Sequence, residues 1–413
     1  MIVSLSIRYL VVRTRALRLA AATLVVFVGL TAGNARAQGT GGQTTPGGVT
    51  LTSADGTTSV QFGLTAQIDG RFALGDDEEL LDDSFYVRRL RPSLRGRAGD
   101  LFDFVVSADF GRGVVGLQDA YVDVAMSDTS ALRVGRAKVP LGYERMLSVQ
   151  TMPFMERSFT AAIAPSRDIG IQVVGTLREK QLDYSLGVFN GAADGSLPPV
   201  HADTGDGKDI VGRVVARPAA GLTLTLAASA GDHTGTASLP EYQTSVFESP
   251  FFRYADDARI EGRLVRYTPA VAYYSGQFGG LAEYVTSRTT VVRGDSRAST
   301  WHEAWQVAGT WVLTGEDAAE DGVTPAVDFG AGGRGAIVLA ARVHRLQVDR
   351  DAFVSGLAAD GSNGRATAWS AGATWVLNRR AALRAMLERT MFDQSTSPRP
   401  SETSVAIRAQ FSL

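Results

Sequence analysis

From residue 58 to the last residue, the chain returns repeatedly to an apolar/polar alternation with a period of two. In 101–110, Phe102, Phe104, Val106, Ala108 and Phe110 share one face, opposite Asp103, Ser107 and Asp109. In 222–230, Leu222, Leu224 and Leu226 oppose Thr223, Thr225 and Ser229. In 403–413, Val405, Ile407, Ala409, Phe411 and Leu413 oppose Ser404, Arg408, Gln410 and Ser412. A helix would spread these apolar residues around its circumference, whereas a strand puts them on one face. Sixteen segments read as strands: 58–74, 85–98, 101–110, 117–126, 131–138, 167–178, 181–190, 208–217, 221–231, 263–274, 278–290, 300–314, 335–350, 365–377, 381–392 and 402–413.

Strand length separates the two folds this pattern allows. Strands of soluble sandwiches average about 5–6 residues. These run longer, as a tilted membrane crossing of about 9–11 residues requires. Beyond the amino terminus no run reaches about 18 consecutive apolar residues, so no crossing helix is expected. The connections agree with a barrel, which has short turns at one end and long loops at the other. Short links fall at Gly99-Asp100, Ser127–Ser130, Glu179-Lys180, Pro218–Ala220, Ser275–Gln277 and Asn378–Arg380, alternating with long ones at 139–166, 191–207, 232–262 and 351–364. The link 315–334 breaks the alternation, as a real loop or as a further hairpin. Trp305 and Trp311 share a face, as do Trp369 and Trp375, a spacing that suits two interfacial aromatic girdles. The expected fold is all-β, a 16-stranded antiparallel transmembrane barrel.

The amino terminus fits that destination. Arg8, Arg13, Arg15 and Arg18 precede the apolar run 19–30, and Asn34-Ala35-Arg36-Ala37 follows with small residues at the −3 and −1 positions. This reads as a secretory signal peptide over 1–37, cleaved after Ala37. Residues 38–57 read as a flexible Gly/Thr-rich lead-in and 58–413 as the barrel. Without the five arginines of 1–37, the net charge of −2 becomes −7.

Composition removes several chemistries. The chain has no Cys, so disulfides, Cys-ligated metals and a Cys nucleophile are excluded. His201, His233, His302 and His344 form no spaced pair. Near-neutral charge offers no dominant basic face for nucleic acid. Gly330-Ala331-Gly332-Gly333-Arg334-Gly335 fits a dinucleotide fingerprint literally, but a strand follows where that fold needs a helix. Asp203, Asp206 and Asp209 lack the full calcium-loop pattern. The acidic run Asp76–Asp83 reads as an exposed loop tip. Neither an enzyme nor a cofactor is expected.

Several segments together resemble the phosphate-selective porin O/P family of bacterial outer membranes. They are Phe85–Gly96 (FYVRRLRPSLRG), Phe102–Tyr121, Leu132–Glu144 (LRVGRAKVPLGYE), Phe154–Gln172 and Tyr184–Gly191, with weaker echoes at Leu313–Glu316, Gly335–Arg342 and Trp375–Asn378. The resemblance implies a 16-stranded homotrimeric porin whose long third loop, here 139–166, folds inward as a constriction. Two features depart from it. The chain ends Phe411-Ser412-Leu413 where such barrels commonly end in Phe. It also has three lysines (Lys138, Lys180, Lys208) where the best-known phosphate channels rely on several in the lumen.

Arg89, Arg91, Arg95 and Arg97 share one face of 85–98, opposite Leu90, Pro92, Leu94 and Ala98. Arginine facing lipid costs about 2–4 kcal/mol at the midplane, so this row should face the lumen. Its planar fork suits phosphate and carboxylate oxygens. Arg145, Arg157 and Arg167 of the third-loop region, and Arg213, Arg217, Arg342, Arg384 and Arg408 by alternation, extend the candidate pore-lining and anion-binding set. Inward Asp103, Asp109, Asp119 and Asp123 allow the opposite role, in which the arginines brace the wall. The expected function is passive diffusion of small anions, phosphate or polyphosphate among them. The alternatives are a weakly selective porin or a non-conducting scaffold or adhesin. The expected partners are small anionic solutes and outer-membrane lipid.

Overall fold

The computed structural model describes residues 43–45, 48–74, 81–195, 207–236, 239–395 and 399–413. Sixteen antiparallel strands close on themselves: β1 Thr58–Ala73, β2 Ser84–Ala98, β3 Phe102–Asp109, β4 Gly116–Ser127, β5 Ser130–Lys138, β6 Arg167–Leu177, β7 Leu182–Phe189, β8 Asp209–Ala219, β9 Leu222–Gly235, β10 Arg259–Ser275, β11 Phe278–Arg293, β12 Ser296–Val312, β13 Ala336–Gln347, β14 Asn363–Val376, β15 Ala381–Ser395 and β16 Glu402–Ser412. Each pairs with its sequence neighbour, and β16 returns to β1 through Ser404↔Ala73 to Ser412↔Thr65. All sixteen expected segments are strands, within a few residues at each end. Outward positions carry exposed Ile68, Leu90, Val122, Leu186, Trp311, Trp369 and Ile407, while inward positions bury Gln67, Arg89, Thr268, Gln306 and Arg408. A closed barrel leaves no free edge and satisfies every wall hydrogen bond, as lipid requires.

Four local readings change. The lead-in is not wholly irregular: Gln43–Thr45 and Gly48–Thr52 form a hairpin that pairs with the lower end of β1, where β16 has already ended. The loop expected at 291–299 shrinks to Gly294-Asp295, because the ladder of β11 and β12 runs on to Arg293↔Ser296. The 315–334 link holds no hairpin. Its only pairing is an isolated bridge between Phe329 and Gly333, and Ala318 N–H donates to Gly276 O. The expected loop 232–262 carries its own hairpin, Glu241–Gln243 with Pro250–Arg253. Residues 1–37 with the proposed cleavage site, Asp76–Leu80, and Asp203 and Asp206 lie outside the described residues. Asp209 is buried against Arg266 (3.0 Å) and His233 (2.8 Å), which engages it away from any calcium site.

The interior is unevenly filled. Phe159 and Ile163 of the 139–166 segment, with Tyr242, Phe251, Phe252 and Tyr254 of the 236–258 link, pack on Val285, Val291, Ala304, Leu346, Ala366 and Ala368 of β11–β14. Aromatic burial of this kind anchors both segments through the hydrophobic effect.

Candidate functional site

On β2 the alternation holds from Leu90 to Ala98 and slips once below it. The register shifts between Gln67↔Arg89 and Ile68↔Val87, so Arg88 sits in a bulge. A bulge inserts one residue and re-aims its neighbours. Arg88 therefore joins Arg89 on the inner side, while Val87 and Phe85 remain exposed on the outside. Arg88 grips Glu156 through two bonds of 2.8 Å. Arg89 donates to Gln67 (2.7 Å) and lies 3.7 Å from the same Glu156. Arg91 pairs with Asp109 at 2.7 Å. Arg95 is exposed in the cavity and makes no hydrogen bond or ion pair among the described residues.

The 139–166 segment is tied to wall side chains far away in sequence. The Glu283 carboxylate accepts from Tyr143 N (2.5 Å), Thr160 Oγ1 (2.9 Å) and Gln306 Nε2 (2.8 Å). Glu144 accepts from Ser158 N and Oγ (2.8 and 2.7 Å) and from Arg342 (3.2 Å). Glu156 takes Arg408 at 2.8 Å besides Arg88. Phe159 N–H donates to His344 Nδ1 (3.1 Å), and Arg384 donates to Gln150 O (2.5 Å). Burial pushes the Glu156 carboxyl upward, but Arg88, Arg89 and Arg408 outweigh it and hold it well below the ordinary carboxylate range.

Beside this segment, toward the long-loop end, lies a cavity of about 880 Å³. Arg88, Arg89, Arg91, Arg95, Arg112, Lys138, Arg145, Arg157 and Arg167 line it, against Asp109, Asp119, Glu156, Asp194, Glu241 and Glu248. Most of the acids are already engaged. Asp119 takes both arms of Arg167 (2.9 and 3.2 Å), and Asp194 takes Arg266 at 2.5 Å. Arg145, Arg157 and Lys138 have no carboxylate partner among the described residues. Arg145 donates to Ala164 O (3.0 Å), Arg157 to Glu144 O and Leu147 O (3.2 and 3.0 Å), and Lys138 to Met146 O and Leu147 O (2.9 and 3.0 Å). The Nε atoms of Arg91 and Arg145 are buried without a hydrogen-bond partner among the described residues. Burial, then the charge of Arg157, pushes the Arg145 guanidinium down to about 9. Burial pushes Arg157 down to about 10. Both remain cationic at neutral pH. Uncompensated positive charge with orphaned donors is the chemistry of an oxyanion site.

A second cavity of about 850 Å³ opens toward the end where β1 begins and β16 ends, and Met146 borders both. Its charge has the opposite sign. Asp100, Asp103, Asp123, Asp128, Asp183 and Glu320 face Arg97, Arg213 and Arg217. Arg97–Asp103 (3.0 Å) and Arg217–Asp183 (2.6 Å) are paired, and Arg213 donates to Gly142 O (3.3 Å).

The expected site residues thus divide three ways. Arg89, Arg91, Arg95, Arg145, Arg157 and Arg167 meet in the basic cavity. Arg97 and Arg213 line the acidic one. Arg342 and Arg384 line neither. Arg342 is fully buried between Glu144 (3.2 Å) and Glu388 (3.3 Å), and Arg408 is buried on Asp69 (2.6 Å), so these brace the wall. The alternation did not reveal Arg88, which needs the bulge, or Lys138, which ends β5.

A family model for phosphate-selective porin O and P matches residues 60–413. The outer membrane channel DcaP of Acinetobacter baumannii is similar at 10% identity and a TM-score of 0.57, over 88% of this chain and 99% of that one. OmpT of Vibrio cholerae in its trimer form gives 10% and 0.56 over 86% and 100%. OmpF of Salmonella typhi in complex with daunomycin gives 13% and 0.55 over 87% and 99%. At these identities the likeness is one of fold. No curated protein matches the chain.

Proposed function

The chain belongs to the phosphate-selective porin O and P family, and on that premise we propose that this outer-membrane porin conducts small anions and binds phosphate-like oxyanions in the basic cavity. In this reading the signal peptide is cleaved after Ala37, the long loops face outward and the barrels assemble as homotrimers. The 139–166 segment narrows the lumen between the two chambers.

The observation that carries the reading is the charge left over in the basic cavity. Among the described residues, Arg95, Lys138, Arg145 and Arg157 have no carboxylate partner and the Nε atoms of Arg91 and Arg145 point at no acceptor. An arriving oxyanion supplies the missing acceptors. Spreading the donors over several side chains keeps each contact weak enough to release the ion. The family name adds phosphate as the candidate ion.

A second reading is favoured by Arg342 and Arg408, whose buried carboxylate partners make them wall braces. It makes the pore weakly selective. Replacing Arg91 and Arg95 by Gln distinguishes the two in a planar bilayer. The anion-site reading expects lower chloride preference and weaker block of chloride current by phosphate, with the barrel folded. Unchanged selectivity and block, together with faster heat unfolding, would instead favour bracing.

A further inference from the structure

The outer wall carries a second set of arginines, on β11–β15; Arg263 on β10 also faces outward but is paired with Asp232 (3.6 Å). Arg288 on β11, Arg345 on β13 and Arg389 on β15 follow the outward alternation together with Trp301 on β12 and Trp369 on β14. Arg288 lies over the Trp301 ring at 6.0 Å and donates to Ser299 Oγ (3.2 Å). Arg345 lies over the Trp305 ring at 5.6 Å and donates to Thr367 Oγ1 (3.0 Å). Arg389 donates to Ser401 Oγ (3.3 Å). None of the three has a carboxylate partner among the described residues.

Register puts them at one height. Hydrogen-bonded rows climb toward the long-loop end as strand number rises: Gly63, low on β1, pairs with Ser93, Ser93 with Ser107, and Ser107 with Asp119 near the top of β4. A line of constant height must therefore slip the other way. With strands ~4.8 Å apart, ~3.3 Å per residue and a tilt near ~45°, the slip is roughly 1.5 residues per strand. Arg288 pairs with Trp301, and that row leaves β13 just beyond Gln347. Two strands of slip bring the level back to Arg345. From Arg345 the row passes Thr367 to Met391, and two further strands of slip bring it to Arg389. At this level the outward positions run Arg288, Glu303 on β12 (which accepts from the Tyr284 hydroxyl at 2.8 Å), Arg345, Trp369 and Arg389, with Trp301 one outward position higher on β12. Below them the exposed wall is apolar, with Leu339, Leu383 and Leu387.

We propose that Arg288, Arg345 and Arg389, set between Trp301 and Trp369, form a binding belt for the phosphoryl groups of an anionic glycolipid in the outer leaflet. Outward arginine is costly at the bilayer midplane and nearly free at the interface, so this level lies among headgroups. Guanidinium forks without a carboxylate partner match phosphate oxygens, and the Trp369 indole at the same height, with Trp301 just above it, anchors in the interface. The belt covers one side only. Outward exposed residues on β3, β7, β8 and β9 are mostly apolar instead, including Phe102, Val106, Leu186, Val188, Ile210 and Leu226, with Asp232 on β9 paired to Arg263. The charged side therefore faces lipid. The proposal rests on the outer-membrane location with long loops outward, and not on anion selectivity in the lumen.

The test uses the purified full-length barrel in detergent and a bis-phosphorylated lipid A. Binding is read by native mass spectrometry, with the dephosphorylated lipid and inorganic phosphate as separate arms. The wild type should retain the phosphorylated lipid far better than the dephosphorylated one, and inorganic phosphate should not compete at equal concentration. The Arg288→Gln/Arg345→Gln/Arg389→Gln variant should bind on the order of 100-fold more weakly, at about fivefold per cation. Its bilayer conductance and selectivity should stay unchanged. Arg389→Gln alone, which loses only the contact to Ser401, should show about a fivefold loss and guards against misfolding of the triple variant. Equal binding of both lipids, or wild-type affinity in the variants, would overturn the belt. If the variants lose selectivity but keep the lipid, the pore account and the belt are both misassigned.

Discussion

Glu156 joins the two halves of the account, because one carboxylate both tethers the 139–166 segment and neutralises lumen charge. Its oxygens sit 2.8 Å from Arg88, 2.8 Å from Arg408 and 3.7 Å from Arg89. Glu156→Gln keeps the shape and removes the charge. Breaking one side of a buried pair costs about 3–5 kcal/mol. The Glu156 side chain is 13% exposed, so partial solvation and the remaining amide oxygen place the cost near the lower end, at about 3 kcal/mol. If the tether breaks before the unfolding barrier, that is about a hundredfold in unfolding rate. Heat unfolding of such barrels is a rate rather than an equilibrium, so the assay is the time course of the gel-mobility shift. In the pore, one fewer negative charge at about 7 Å in a water-like dielectric is worth about 0.6 kcal/mol, close to a threefold rise in local chloride. Chloride preference should therefore increase while stability falls. The pH dependence follows the same carboxylate. Its lowered value means the tether's contribution is fully present above the ordinary Glu range and is lost only as pH falls through the depressed value. The Glu156 contacts to Arg88 and Arg408 should therefore persist at pH 4. A variant with wild-type unfolding rate and wild-type selectivity would refute both the tether and the charge accounting.

Three further outcomes are expected. Arg342→Met strands Glu144 and Glu388 without their cation, so unfolding should quicken by an amount corresponding to about 3–5 kcal/mol, with selectivity unchanged in bilayers. Gly221→Ala should lower refolding yield or stability by about 1–3 kcal/mol, because Gly221 has φ +73° and an added Cβ would meet the Tyr274 carbonyl at 1.9 Å. The opposite charges of the two chambers should make single-channel current asymmetric below about 0.1 M salt, where screening reaches about 10 Å. Current should be larger when the bath at the acidic-chamber end is positive, since cations then enter through the acidic chamber and anions through the basic one. Asp100→Asn/Asp128→Asn/Glu320→Gln should remove the asymmetry.

The wall was legible because a membrane strand hides one face from water and the other from lipid, which writes a strict period of two into the sequence. Arg89, Arg91 and Arg95 line the basic cavity, the side that rule assigns them. The rule fails where the backbone departs from it. Arg88 turns inward only because of the bulge at Gln67/Ile68, and nothing in the local sequence marks that insertion. It also says nothing about what fills the interior. Phe159, Tyr242, Phe251 and Phe252 sit in stretches read as loops, yet they form the largest buried cluster, because they meet strands more than a hundred positions away or in the far wall. The fate of each arginine depended on the same long-range partners. Arg342 finds Glu144 across 198 positions and becomes a brace, while Arg145 and Arg157 find only carbonyls and keep their charge available. Alternation gives the side a residue faces, and only tertiary contacts decide whether its charge is spent.

The most direct test of the central claim is the reversal potential of the purified wild-type protein in a planar bilayer across a tenfold KCl gradient. The account predicts conductance with a reversal potential displaced toward the chloride limit of about 59 mV for a univalent ion, and chloride current that falls when phosphate is added. A reversal potential at zero or on the potassium side, or no conductance, would contradict it.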